Sequence, residues 1–137
     1  MDLNRHQIRE LAFQTLFAMN TNEETDRKEF FTVLTDGKFG DKYPEYLQTL
    51  ISGVLEHKTE LDEIIEKYLT DKWSISRIAK TDLIILEIAL FEMIYVDDMP
   101  SKAAINEAIE LAKKFSDDRS RKFVNGILSH AHSELLK

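Results

Sequence analysis

Between Ser76 and Tyr95 the apolar residues cover almost the whole circumference of a helix. Ile78, Ala79, Leu83, Ile84, Leu86, Ile88, Ala89, Leu90, Met93 and Ile94 recur at helical spacing and leave no broad polar face. Such a helix is stable only when other elements surround it. Residues 76–95 are therefore expected to be a central, buried scaffold for the second half of the chain, with Ser76 as the cap. Glu87 and Glu92 interrupt the run, which is too short and too charged to cross a bilayer.

The rest of the chain follows the same period. Only four glycines and two prolines punctuate 137 residues, and no run alternates as a strand does. The predicted class is all-α, with about seven helices. The first covers residues 5–19, capped by Asn4 with Gln7 at the capping-box position. A second covers 25–34, and a third starts at Pro44, where a missing N–H costs nothing. Thr59 and Asp62 predict a fresh start there, and with it a soft subdomain boundary dividing 1–58 from 59–137. Trp73 and Ile75 fall in a short irregular piece ahead of the central helix. Ser101 is the expected cap of a helix over 101–115, and the last helix is expected to start near Ser120.

The chain has no cysteine, which excludes disulfides and thiolate metal sites and suits a reducing compartment. The opening residues carry no apolar stretch of the secretory kind, so a cytoplasmic protein is expected. His130 and His132 point roughly 200° apart on a helix and cannot share a metal. No Gly-rich phosphate loop, zinc motif or nucleophile elbow is present. Nothing assembles a catalytic site, a metal site or a cofactor site, and a non-enzyme is expected.

The net charge of −7 would repel nucleic acid unless cations were gathered locally. They are gathered in one place: Lys113, Lys114, Arg119, Arg121 and Lys122 stand against Asp117 and Asp118, with Phe115 and Phe123 interleaved. A helix start carrying cations can hold phosphate, and a neighbouring aromatic can stack an unpaired base. On pattern alone, a solvated turn with both rings in the core is the more economical account. Arg5, His6 and Arg9 form a second, thinner basic edge, for which a solvated helix end is again the simpler account. Asn106 and Asn125 are mediocre helix formers that suggest a buried polar clasp between helices, with Gly126 allowing close contact.

Three groups of residues resemble the NusB transcription antitermination factors. Arg5-xxx-Arg9-Glu10-xx-Phe13-Gln14-xx-Phe17 is similar to that family's first helix. Trp73, Arg77-Ile78, Asp82, Ile85-Leu86 and Glu92 follow its central pattern. Pro100, Ala104-Ile105-Asn106-Glu107-Ala108, Glu110-Leu111-Ala112-Lys113 and Lys122-Phe123-Val124-Asn125-Gly126-Ile127-Leu128 match its C-terminal signature. The resemblance implies two packed bundles of the three-helix type. It also implies binding to boxA RNA of ribosomal RNA transcripts together with NusE, a small-subunit ribosomal protein, within an RNA polymerase antitermination complex. Carried over by position, the implied RNA contacts are Arg5, His6, Arg9, Phe17, Tyr68, Arg119, Ser120, Lys122 and Phe123. For Arg119, Ser120, Lys122 and Phe123, the resemblance favours an RNA site where pattern alone favours a solvated turn. Arg5 and Arg9 are a sparser cluster than many relatives carry, which implies dependence on the partner. Some relatives self-associate over the RNA edge, so a homodimer is among the implied states. The alternative is a helical RNA-targeting or protein-adaptor domain without antitermination activity.

Overall fold

The computed structural model describes residues 3–69 and 74–135, whose regular structure is all helical. Six α-helices follow in order: α1 (Arg5–Thr21), α2 (Arg27–Leu34), α3 (Glu45–Lys67), α4 (Lys80–Tyr95), α5 (Ser101–Phe115) and α6 (Asp118–Leu135). A single 3-10 turn, Ile75–Arg77, precedes α4. The all-α expectation holds, with six helices where seven were expected. Trp73 lies outside the described residues. No helix among the described residues is long and apolar enough to cross a membrane.

The count differs because no helix starts at Thr59. Val54, Leu61 and Ile65 continue one buried stripe through that point, and no glycine or proline interrupts 54–67. Asp62 is engaged instead by Lys58, one turn earlier, at 3.1 Å. A continuous amphipathic face outweighs a local capping signal, because tertiary burial supplies most of a helix's stability.

The starts or caps of α2, α4, α5 and α6 also differ from expectation, while α1 starts at Arg5 as expected. Asp26 caps α2 through the Lys28 and Glu29 amides, each at 3.1 Å. Ser101 lies inside α5, whose N-cap position is Pro100. Ser76 belongs to the 3-10 turn, and α4 begins behind Ala79 without a side-chain cap. At α6 the Asp117 carboxylate accepts from the Ser120 amide at 2.9 Å, so the helix starts two residues before Ser120.

The chain divides into two compact units, Met1–Gly53 and Val54–Lys137, with the division falling inside α3. In the first, α1 packs on α2, and Phe31 is buried with Tyr43 edge-on at 5.3 Å. In the second, α4, α5 and α6 pack on one another in all three pairings. Every residue of α4 from Asp82 to Met93 is buried, as its all-round apolar pattern predicts.

The expected asparagine clasp is absent. Asn106, Asn125 and Gly126 are all exposed, and a methyl group added at Gly126 would meet open space. Asn125 accepts only a local bond from Ser129, at 3.2 Å, among the contacts resolved for it. These residues lie on the outer faces of α5 and α6 because Ala104, Ile105, Ala108, Val124, Ile127 and Leu128 take the inner ones.

Burial of α4 forces its acids to find partners. Glu87, 3% exposed, meets the Lys58 ammonium at 2.8 Å. Burial, with Asp62 nearby, still pushes its carboxyl up to about 8, against the pull of Lys58. A carboxyl raised in the folded state binds more protons there than in the unfolded chain. Its contribution to stability is complete below the ordinary carboxylate range and is lost as pH climbs through about 8. Glu87→Gln removes that titration while keeping an acceptor for Lys58. The melting temperature of the variant, relative to the parent, should rise steadily as the pH is taken from about 5 to about 9. A constant difference across that range would show that Glu87 is ionised throughout.

Candidate nucleic-acid interface

In the second unit a cleft of about 250 Å³ opens at the start of α6. It is lined by Arg77, Ile78 and Ala79 from the approach to α4, by Asp82 from its first turn, and by Asp117, Arg119, Ser120 and Phe123. Two guanidinium-bearing residues, one aromatic ring and two carboxylates thus converge on one concavity.

A hydroxyl relay builds its floor. Ser116 Oγ donates to Ser120 Oγ at 2.7 Å, and Ser120 Oγ donates to Asp82 Oδ2 at 3.1 Å. Ser120 is thereby committed, with its amide on Asp117 and its hydroxyl on Asp82. Asp82 is only 8% exposed, and its second oxygen, Oδ1, is buried without a hydrogen-bond partner. Burial, and then the charge on Asp117, push the Asp82 carboxyl up against the bond from Ser120, which makes it a more avid acceptor. Asp117 goes the other way. The Ser120 amide, aided by the Arg119 guanidinium, holds its carboxyl below the usual range.

Around this floor Arg119 and Lys122 are exposed, and Phe123 is half-buried at the wall. Arg121 is paired with Asp118, one turn back along α6. Of Arg119, Arg121 and Lys122, one therefore braces the helix start and two are exposed.

The remaining expected contacts are found on two other elements. On α1 the Asn4–Gln7 capping box forms, at 2.8 and 2.9 Å, and sets the start of the basic edge. Arg5 is exposed, with its guanidinium 4.2 Å from the centroid of the Tyr46 ring. His6 meets Glu10 at 3.3 Å. Phe17 is 40% exposed, with Phe13 packed behind it at 6.1 Å between ring centroids. Arg9 departs from expectation: it is 4% exposed, held within the packing and not at a solvent-facing edge. The position follows from α1 burying two adjoining columns, Ile8–Leu11–Thr15 and Ala12–Phe13–Leu16, with Arg9 on the same side as the second. Tyr68 lies just past the end of α3, half-buried.

The arrangement matches a known family over nearly its whole length. The sequence model of the NusB family fits residues 6–133. The chain belongs to the NusB family. A transcription antitermination protein NusB of Lactiplantibacillus plantarum is 58% identical over 130 residues, covering 93% of this chain and 94% of its own. A second, of Levilactobacillus brevis, is 55% identical over 132 residues, covering 95% of this chain and 93% of its own. The fold is similar to that of T. maritima NusB, with a TM-score of 0.84, 32% identity, and coverage of 98% of this chain and 94% of that one. It is also similar to a structure of the antitermination factors NusB and NusE in complex with dsRNA. The TM-score there is 0.78 at 29% identity, covering 94% and 96% of the two chains.

Within this NusB-family fold, Arg77 and Asp82 are among the cleft residues that the sequence does not mark as a site. Asp82 reads as an ordinary acid near a helix N-terminus, which the dipole favours. Only its burial, with one oxygen unpartnered, separates it from such a residue. Ser120→Ala breaks the relay and takes the hydroxyl donor from Asp82 Oδ2, beside an Oδ1 that already has no partner. It should cost about 1–3 kcal/mol in urea unfolding. An unchanged unfolding midpoint would show that the relay carries no stability.

Proposed function

We propose that this chain is a transcription antitermination factor that binds boxA RNA of ribosomal RNA transcripts together with NusE, within an RNA polymerase antitermination complex. The observation that carries the RNA half of this reading is the cleft at the start of α6, lined by Arg77, Arg119 and Phe123. Family membership supports the antitermination role, and the relative solved with NusE and RNA supports both partners.

Each residue has a task that its placement suits. Arg119 and Lys122 meet phosphates, and Phe123 stacks a splayed base, an interaction worth about 1–3 kcal/mol. Asp82 Oδ1 is enclosed, so Asp82 serves by holding the start of α6 in place through Ser120. Ser120 contributes by fixing Asp82. On α1, Arg5 and His6 supply phosphate contacts and Phe17 a further stacking surface, and Tyr68 does the same beyond α3. Arg9, enclosed, supports α1 from within.

A titration of boxA RNA with and without NusE tests the reading. Binding should tighten when NusE is added and weaken as salt is raised. Arg119→Ala and Lys122→Ala should each lower the salt slope by about 0.7, the loss of one single-strand phosphate contact. Arg9→Ala should instead lower the melting temperature. Equal affinity for a scrambled RNA in the presence of NusE contradicts boxA recognition. Capture of NusE without RNA retention would make the chain a protein adaptor.

A further inference from the structure

Tyr68 is held from outside its own helix. The last residue of α3 is Lys67, and the Tyr68 amide still bonds back to the Ile65 carbonyl at 3.1 Å, but the side chain is tethered by α6. Its phenol donates to Glu134 Oε2 at 2.8 Å, across 66 residues of sequence. One turn earlier on α6, the His130 ring lies against the Tyr68 ring, with centroids 5.2 Å apart and planes tilted by 44°. His130 Nε2 is 3.9 Å from the other Glu134 oxygen, Oε1. The Lys67 ammonium stands 5.8 Å from the ring centroid.

This tether does not serve burial. Glu134 and His130 are exposed, and water could satisfy the phenol in place of the carboxylate. A carboxylate beside an RNA-facing ring also repels phosphate. What the pair of contacts does accomplish is geometric. A hydrogen bond at the phenol and a ring contact at the side leave Tyr68 one orientation, so a stacking base meets a surface already set.

We propose that Glu134 is a positioning residue for RNA binding: it orients the Tyr68 ring from α6, with His130 as its backing, and touches no RNA itself. This rests on Tyr68 being a stacking residue for RNA, and the test separates the two claims. The affinity of boxA RNA, with NusE present, is measured for Tyr68→Ala, Tyr68→Phe, Glu134→Ala, Glu134→Gln and the double variant Tyr68→Phe/Glu134→Ala. Tyr68→Ala should weaken binding roughly fivefold to a hundredfold, the loss of one stacked base. Glu134→Ala should weaken it roughly two- to tenfold, one hydrogen bond's worth of orientation. Glu134→Gln keeps an oxygen acceptor and sheds the charge, so it should bind as tightly as the parent or more tightly. The double variant should be no weaker than the weaker single, because both changes break the same bond. Parental affinity for Glu134→Ala beside a weakened Tyr68→Ala overturns the positioning role and leaves the stacking role standing. Additive effects in the double variant, or a Glu134→Gln as weak as Glu134→Ala, also overturn it. Parental affinity for Tyr68→Ala removes the stacking role and the positioning role together.

Discussion

The burial of α4 on every side is the constraint from which the second unit follows. A helix whose residues from Asp82 to Met93 are all enclosed must be packed by its neighbours around its circumference. Its three acids, Asp82, Glu87 and Glu92, are enclosed with it. Desolvating a carboxyl without partners is costly, so the surrounding helices must deliver them. α3 delivers Lys58 to Glu87, and α6 delivers Ser120 to Asp82. The second of these bonds draws the first turn of α6 against the first turn of α4. The cleft is the space left above that junction.

The same junction accounts for how an acidic chain presents cations. Net charge of −7 disfavours RNA at long range, so attraction depends on a few groups near the contact. At the start of α6 the acids are turned inward or paired. Asp82 is buried, Asp117 caps the helix, and Asp118 is matched by Arg121. Arg119 and Lys122 are left at the surface beside Phe123. A turn with five cations against two acids in sequence therefore keeps its positive excess where it faces solvent.

Much of this is legible in the sequence, because periodicity reports burial directly. The all-α class, the central helix and the α1 capping box follow from apolar spacing and a cap pattern. Helix starts are less legible, since Thr59, Ser76 and Ser101 carry capping chemistry that the packing does not use there. Arg9 shows a second limit: helical spacing says which residues share a side, but not how wide the buried side becomes. Asn106 and Asn125 show the converse, polar residues within a helical pattern that point outward. Recognising the charged turn as a site depends on family resemblance, since its composition favours a solvated turn. Asp82 needs the structure, because an unpartnered buried oxygen has no signature in the chain.

The central claim is that RNA enters the cleft between the approach to α4 and the start of α6. Backbone hydrogen exchange of the complex with NusE, measured with and without boxA RNA, tests it most directly. Slowed exchange on adding RNA is expected at residues 74–82 and 116–123, while the outer faces of α5 and α6 around Asn106 and Asn125 keep their rates. Slowing confined to other segments, with both cleft segments unchanged, would contradict it.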